Sequence, residues 1–443
     1  MRTSLLWAEH AHMDLDHQRQ IRVVFGGLLL GMLLGALDQT IVATALPRIV
    51  SELGGLSQLS WVITAYLLAS TVSIPLWGKS GDLYGRKRLF QLALAVFLAG
   101  SALCGIAGDI GQLIAFRAIQ GLGAGGLFTL AMAIVGELVA PRERGRYQGY
   151  IQAMFALASV AGPLIGGSIV DHASWRWLFY VNLPLGAVAL AVIRVTLQVP
   201  SGAFALPEQR GPEPVRPLPP QRNPIVAISS AGLFFATSAF FAAVVFLPVF
   251  IQLVRGDTAT SSGLLLLPLM LATTLSAASS GHIISRTGRY KWFPLIGLAL
   301  MAITLFSFAQ LDAATPPLTM GLLMALFGLG FGMVGEVLIL AVQNAVDQRD
   351  LGTATGAANL FRALGGSVGV AIYGSIFTGQ LRTHSAANPL ALVFMTAALM
   401  AAAGFIVVLF LEERPLRQQT HAAPATGASS KTIPNGGTTH VHA

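Results

Sequence analysis

Twelve stretches of about 20 apolar residues recur along this chain, and each is long enough to cross the hydrocarbon core of a bilayer. They lie at roughly 22–48, 59–78, 89–108, 112–138, 147–170, 177–197, 225–252, 262–284, 292–311, 317–343, 354–379 and 389–411. Each is read as a membrane-spanning helix. The composition agrees: 54% of the 443 residues are hydrophobic and only 10% are charged, against about 25% charged in a soluble domain.

The net charge of +8 raises the possibility of a nucleic-acid partner, and the placement of the charges answers it. With the N-terminus on the cytoplasmic side, 21 of the 27 Lys and Arg residues fall in cytoplasmic segments, four (Arg48, Arg176, Arg255 and Arg382) in outer loops, and two (Arg117 and Arg362) inside spans. That is a positive-inside bias, so both termini are expected in the cytoplasm and the basic charge reports topology. Trp61, Trp77, Trp175, Trp177 and Trp292 stand at span ends, where aromatic belts form. Cys104 is the sole cysteine, so no intrachain disulfide is expected. The polar N-terminus shows no cleavage pattern, and the first span is read as the insertion signal.

Residues 199–223 are rich in Pro and polar groups and cannot continue a helix. The expected organisation is a cytoplasmic segment (1–20), a six-helix bundle (21–198), a Pro-rich cytoplasmic linker (199–223), a second six-helix bundle (224–412) and a disordered tail (413–443). The halves echo each other. GKSGDLYGRKR (78–88) matches GHIISRTGRYK (281–291) at an offset of 203. GLGAG (121–125) matches GLGFG (328–332) at 207, as Gly145 and Gly149 match Gly352 and Gly356. Two parallel six-helix repeats are the architecture of one large class of secondary transporters.

Against this apolar background a few charges stand out. Asp38 lies in the first span, nine residues before Pro47, and a mid-membrane carboxylate costs about 2.5–3.5 kcal/mol on insertion scales. Gly27, Gly31, Gly35 and Asp38 share one helical face, and small residues mark faces where another helix packs closely. Asp38 therefore points into protein or a water-filled cavity. Arg117, in the fourth span, shares a face with Gln120, Gly121 and Ala124 and is placed at a similar depth. A carboxylate held between burial and a nearby cation can load and release a proton; a permanent structural ion pair is the other reading. Glu336, in the tenth span, shares a face with Gly328, Gly332 and Gln343. It is read as a cation contact, a second proton site or a hydrogen-bonded structural acid. Arg362, beside Gly366 and Gly369 on its face, is read as structural, and His282 as interfacial.

The loop after span two carries Gly78, Gly81, Asp82, Gly85 and Arg86. Gly permits the tight reversal, and the basic residues either anchor topology or form a latch in which Asp82 or Glu137 pairs with Arg86. Surface pairs are weak, about 0–1 kcal/mol, which suits a contact that breaks in every cycle. Span five holds Ala158, Gly162, Pro163, Gly166 and Gly167, a smooth face with a proline that bends the helix, expected at a gate between the halves. No nucleophile elbow, phosphate loop or metal-spaced Cys/His set is found, and His421, His440 and His442 are too loosely spaced for one. No enzymatic activity, metal or cofactor is expected.

These motifs resemble the major facilitator superfamily, and within it the drug/proton antiporters of the EmrB/QacA type. ALDQTIVATALPRIV looks like that group's first-span signature, GKSGDLYGRKR its loop motif, RAIQGLGAGG its fourth-span motif and ASVAGPLIGG its span-five antiporter motif, with Ala158 where the pattern prefers Gly. SWRWLFYVNLPLG, AVQNAV and LFRALGGSVGVAI are also similar, so the likeness covers about residues 20–412. The group usually has fourteen spans; the 199–223 linker is too short for two more, so twelve are expected here. Glu336 stands where the group has a neutral residue.

The resemblance implies an all-α integral membrane fold of two pseudo-symmetric six-helix bundles. It further implies export of lipophilic, cationic compounds among them, in exchange for protons across the cytoplasmic membrane by alternating access. Asp38 and Arg117 are the expected proton-coupling residues, and Glu336, Gln120 and Gln343 the expected substrate contacts. The expected partners are a small lipophilic substrate, protons and the bilayer, with the chain a monomer and no nucleic acid involved. An exporter or importer of a specific metabolite on the same fold is the alternative; a sugar or organic-acid site would want more polar side chains in the cavity than this chain offers.

Overall fold

Backbone groups in lipid must bond within their own segment, and the chain answers with helices throughout. The computed structural model describes residues 2–138, 144–196, 223–346, 351–383 and 390–415; the side chains of 2–22, 82, 136–138, 144–146, 148, 152, 195–196, 351–353 and 382–383 lie outside the described residues. The first half comprises α1 (Arg2–Leu53), α2 (Leu59–Tyr84), α3 (Arg86–Gly105), α4 (Ile110–Leu138), α5 (Arg144–His172), α6 (Trp177–Tyr180) and α7 (Asn182–Thr196). The second comprises α8 (Pro224–Leu253), α9 (Ala259–Thr287), α10 (Trp292–Phe308), α11 (Pro317–Gly332), α12 (Gly335–Ala345), α13 (Leu351–Thr383) and α14 (Ala391–Leu409). No strand occurs among the described residues. Most of the proposed linker and tail lies outside them.

Eleven helical stretches are long and apolar enough to cross a membrane, and a twelfth apolar helix, α10, has 17 residues. The stretch 317–345 is built from two helices, α11 and α12, in series. Between them Met333 N–H bonds to Gly330 O (3.2 Å) and Val334 N–H to Phe331 O (3.0 Å), a local tightening that leaves Glu336 in the first turn of α12. An acidic residue is favoured there by the helix dipole.

The glycine echo in the sequence is a packing echo in space. In the first half α4 lies between α2 and α3, and a Cβ on Gly121 would sit 2.4 Å from Tyr66 O, one on Gly123 2.4 Å from Phe97 N. In the second half α11 lies between α9 and α10, and a Cβ on Gly328 would sit 2.1 Å from Leu269 O, one on Gly330 2.7 Å from Gly297 O. Absent side chains let these backbones touch, which is how membrane helices gain van der Waals contact. The two short loops match as well. Gly85 (φ 91°) is the single residue between α2 and α3, and Gly288 (φ 70°) ends α9 with its N–H on Ile284 O at 2.8 Å. Positive φ values suit glycine.

At the end of the bundle away from Gly85 and Gly288 the described residues of the two halves are hydrogen-bonded to each other in three places. Gln252 Nε2 of α8 donates to Thr44 O of α1 (2.8 Å). Thr378 Oγ1 of α13 donates to Ser57 O before α2 (2.9 Å). The Asp171 carboxylate of α5 accepts the first backbone N–H groups of α9, from Ala259 (3.1 Å) and Thr260 (2.7 Å).

Two expectations change. The first span, expected at 22–48, runs on past Pro47, and α1 continues to Leu53. Asp38 is therefore at the midpoint of the apolar stretch Val23–Leu53. Of the tryptophans, Trp61, Trp177 and Trp292 are exposed as belt residues, but Trp175 is buried and its Nε1 donates to Glu52 Oε2 at 2.9 Å. Trp77 likewise turns inward, donating to Leu122 O at 2.7 Å.

Candidate functional site

The face that carries Asp38 turns into the first bundle. A Cβ on Gly27 would lie 3.0 Å from Ile193 of α7, one on Gly31 2.8 Å from Phe90 of α3, and one on Gly35 3.0 Å from Phe128 of α4. Three glycines thus draw α1 against three neighbours, and Asp38, one turn further on, is only 2% exposed. Its partners come from those same neighbours. Arg117 Nη1 of α4 forms an ion pair with one carboxylate oxygen. The other accepts from Gln120 Nε2 of α4 (2.9 Å) and Asn182 Nδ2 of α7 (3.3 Å). Ser101 Oγ of α3 ties the set together: it accepts from Gln120 Nε2 and Asn182 Nδ2, both at 2.8 Å, and donates to Phe179 O at 3.2 Å.

Arg117 is also buried and has several partners besides Asp38. Nη1 reaches Gln120 Oε1 (2.7 Å), Nε donates to Val62 O (3.3 Å), and the guanidinium lies 4.1 Å from the Tyr66 ring centroid. Tyr66 in turn donates to Gly35 O at 3.2 Å. Cys104 completes the shell, with Sγ 3.7 Å from Gln120 Oε1. A buried ion pair is tolerated when further hydrogen bonds support it, and here Gln120, Asn182 and Val62 O supply them. The arrangement can do one further thing chemically. If the carboxylate took a proton, the arginine would keep a carbonyl, an amide oxygen and an aromatic face, so the pair can open without orphaning its cation.

The structure therefore brings together Asp38, Arg117 and Gln120, and adds Ser101, Tyr66, Cys104 and Asn182. Gln120, expected to touch substrate, is fully buried and bonded within this cluster. Asn182 falls within SWRWLFYVNLPLG, and a polar residue leading an apolar span was the available signal.

Glu336 and Gln343 lie elsewhere, on α12. Glu336 is not hydrogen-bonded in a core; its side chain is 46% exposed and Oε1 is 3.6 Å from Arg362 Nη1 of α13. Gln343 Nε2 is 3.5 Å from Thr355 Oγ1 of α13. Arg362 is thus the neighbour of Glu336, a pairing that the sequence reading did not foresee.

The stretch expected as a loop after span two is helical apart from Gly85: Gly78 and Gly81 lie in the last turns of α2 and Arg86 opens α3. Gly78 and Gly81 face Thr129 and Leu130 of α4, and Arg86 Nη1 donates to Ala133 O at 3.0 Å. The side chains of Asp82 and Glu137 lie outside the described residues. Gly162 and Gly166 pack on Thr40 and Thr44 of α1, whereas Gly167 meets Ala259 of α9, and Gly263 of α9 meets Pro163 O. The face around Pro163 therefore touches both its own bundle and the other half. Among the described residues no cluster of three His, Cys, Asp or Glu could hold a metal.

The chain matches the family profile described as Major Facilitator Superfamily over residues 28–370. It is 34% identical to an uncharacterised MFS-type transporter of Mycobacterium tuberculosis, over 89% of this chain and 70% of that one. It is 32% identical to the multidrug transporter protein MdtP of Bacillus subtilis (82% and 76% covered) and 33% identical to multidrug resistance protein 3 of the same organism (82% and 80%). Among solved structures it superposes on a D-xylose–proton symporter with a TM-score of 0.71 at 16% identity, covering 89% of this chain and 98% of that one. A bacterial homologue of the lysosomal transporter Spinster gives 0.67 at 18% identity (88% and 94%). These two likenesses concern the fold. Helices, repeat and family profile agree: the chain is a multi-pass membrane protein that belongs to the major facilitator superfamily.

Proposed function

We propose that this transporter is a proton-coupled antiporter of the EmrB/QacA type in a twelve-span form. It exports lipophilic compounds, cationic ones among them, across the cytoplasmic membrane by alternating access. The multidrug names carried by relatives at 32–33% identity support the substrate class. The Lys and Arg bias supports cytoplasmic termini, which makes the hydrogen-bonded end of the bundle the outer one and the observed state outward-closed. The linker 199–223 joins the two bundles, and the bilayer, a small lipophilic substrate and protons are the partners of a monomer.

The observation that carries the proposal is the Asp38 cluster. A carboxylate at the midpoint of a span, closed off from water and paired to an arginine that has other partners to fall back on, suits alternate protonation and pairing. When the cluster opens to the outside, Asp38 takes a proton and releases Arg117. When it opens inward, the proton leaves and the pair re-forms. A membrane potential contributes about 2.3 kcal/mol per charge per 100 mV, so even one proton per cycle drives export. The glycine and proline face of α5 and the α2–α3 junction from Gly78 to Arg86 serve the rocking of the halves, with Asp82 or Glu137 as the latch for Arg86.

The test is Asp38→Asn in everted vesicles. The variant inserts and folds, and export driven by an imposed pH gradient is lost. Full pH-driven export by that variant would sink the proposal.

A further inference from the structure

On α12, Glu336 and Gln343 are two turns apart; on the antiparallel α13, Arg362 and Thr355 are two turns apart. The seam is bridged at both levels, Glu336 to Arg362 at 3.6 Å and Gln343 to Thr355 at 3.5 Å. Both contacts are loose. A charge-assisted hydrogen bond lies near 2.7–2.9 Å, and the Glu336 and Arg362 side chains are 46% and 37% exposed. Such a pair binds helices together only weakly.

Its surroundings point to a different use. Charged groups facing lipid are expensive, so the exposed side of the seam belongs to a wet space within the protein. Arg362 shares its face with Gly366 and Gly369, which pack on Phe241 and Ser238 of α8. The adjacent Phe240 stacks on Phe331 of α11 with ring centroids 4.0 Å apart, and Phe331 is five residues before Glu336. This aromatic pair lies on α8, which packs against both α12 and α13, and on α11, which leads into α12.

For a simple cation this is a poor site, because Arg362 offsets the attraction of Glu336. A molecule carrying both charges faces no such conflict. We propose that Glu336 and Arg362 form a two-point contact for amphoteric substrates: a cationic group replaces Arg362 at Glu336, and an anionic group replaces Glu336 at Arg362. The apolar body of the substrate then lies toward Phe240 and Phe331. The inference rests on the exporter reading and narrows its substrate class from lipophilic compounds to lipophilic zwitterions.

The experiment compares rhodamine B, a zwitterion at neutral pH, with its cationic ester analogue rhodamine 6G and the neutral dye Nile red. Equilibrium binding to the purified full-length protein tests the contact, and export from vesicles separately tests the exporter reading. Glu336→Gln and Arg362→Gln each weaken rhodamine B binding by about five-fold, the equivalent of one lost exposed charge contact. Arg362→Gln strengthens rhodamine 6G binding, because it frees Glu336. The exchanged pair, Glu336→Arg with Arg362→Glu, recovers rhodamine B binding and guards against loss of fold. Equal losses for all three dyes in both single variants overturn the proposal, as does weaker rhodamine 6G binding in Arg362→Gln. Selective binding without export by the wild-type protein overturns the exporter reading alone.

Discussion

The two halves share one packing plan and differ in what fills its centre. The offset of 207 that superimposes GLGAG on GLGFG carries Arg117 to Met324 and Gln120 to Phe327; the Leu-Pro pairs at 46–47 and 247–248 carry Asp38 to Ala239, beside Phe240. In the second half Met324, Phe327 and Ala239 are fully buried, and Phe327 contacts Phe308, which contacts Phe394. At these three positions the second half is filled by apolar side chains. The ion pair and amides of the first half are not a requirement of the architecture. Apolar replacements of buried ion pairs are commonly neutral or stabilising, so the shared packing plan does not itself call for these charges.

The comparison can be broken most forcefully at Arg117. Arg117→Met copies the second half at one position and leaves Asp38 buried without its cation, a loss of about 3–5 kcal/mol. Thermal unfolding in detergent, followed by tryptophan fluorescence, should show a large downward shift. Adding Asp38→Ala copies the second half at both positions and should restore most of the stability, with proton-driven transport still absent. A single variant as stable as the wild type would mean that the cluster is not a paired unit.

A smaller effect tests the shared plan. Gly121→Ala and Gly328→Ala each push a methyl group onto a carbonyl of the neighbouring helix and should cost similar amounts, about 1–3 kcal/mol. A loss confined to one of them would show that the halves are packed by different rules.

The smallest effect is at the rim. Trp175→Phe removes one hydrogen bond to Glu52 and should cost about 0.5–1.5 kcal/mol, visible as a modest shift of the same melting curve with transport retained.

The sequence made some of this plain and hid the rest for physical reasons. Apolar length and glycine spacing are local, periodic signals, so spans and repeat could be read directly. Asp38 and Arg117 stood out because charge in an apolar helix is costly wherever its partner is. Ser101 and Asn182 gave little away, because small neutral polar residues are common in spans and only the convergence of α3 and α7 gives these two a role. Gln120 was placed on the correct face, but a face does not distinguish a bundle core from a substrate cavity. The apolar pattern set the end of the first span at 48; a missing N–H at Pro47 is tolerated inside a membrane helix, and α1 runs on to Leu53. The meeting of Glu336 with Arg362 depends on the break after Gly332 and on antiparallel register, neither of which is written in periodicity.

Cys104 gives the Asp38 cluster an observer. It is the chain's one thiol, fully buried and set against the amide that holds Asp38. The sulfur lies 3.7 Å from Gln120 Oε1, and the same amide's nitrogen bonds Asp38. The rate at which a small maleimide alkylates the native, unengineered protein is therefore a clock for how often the cluster becomes wet. That rate should rise when an inwardly directed proton gradient sets the transporter cycling and fall when cycling is arrested.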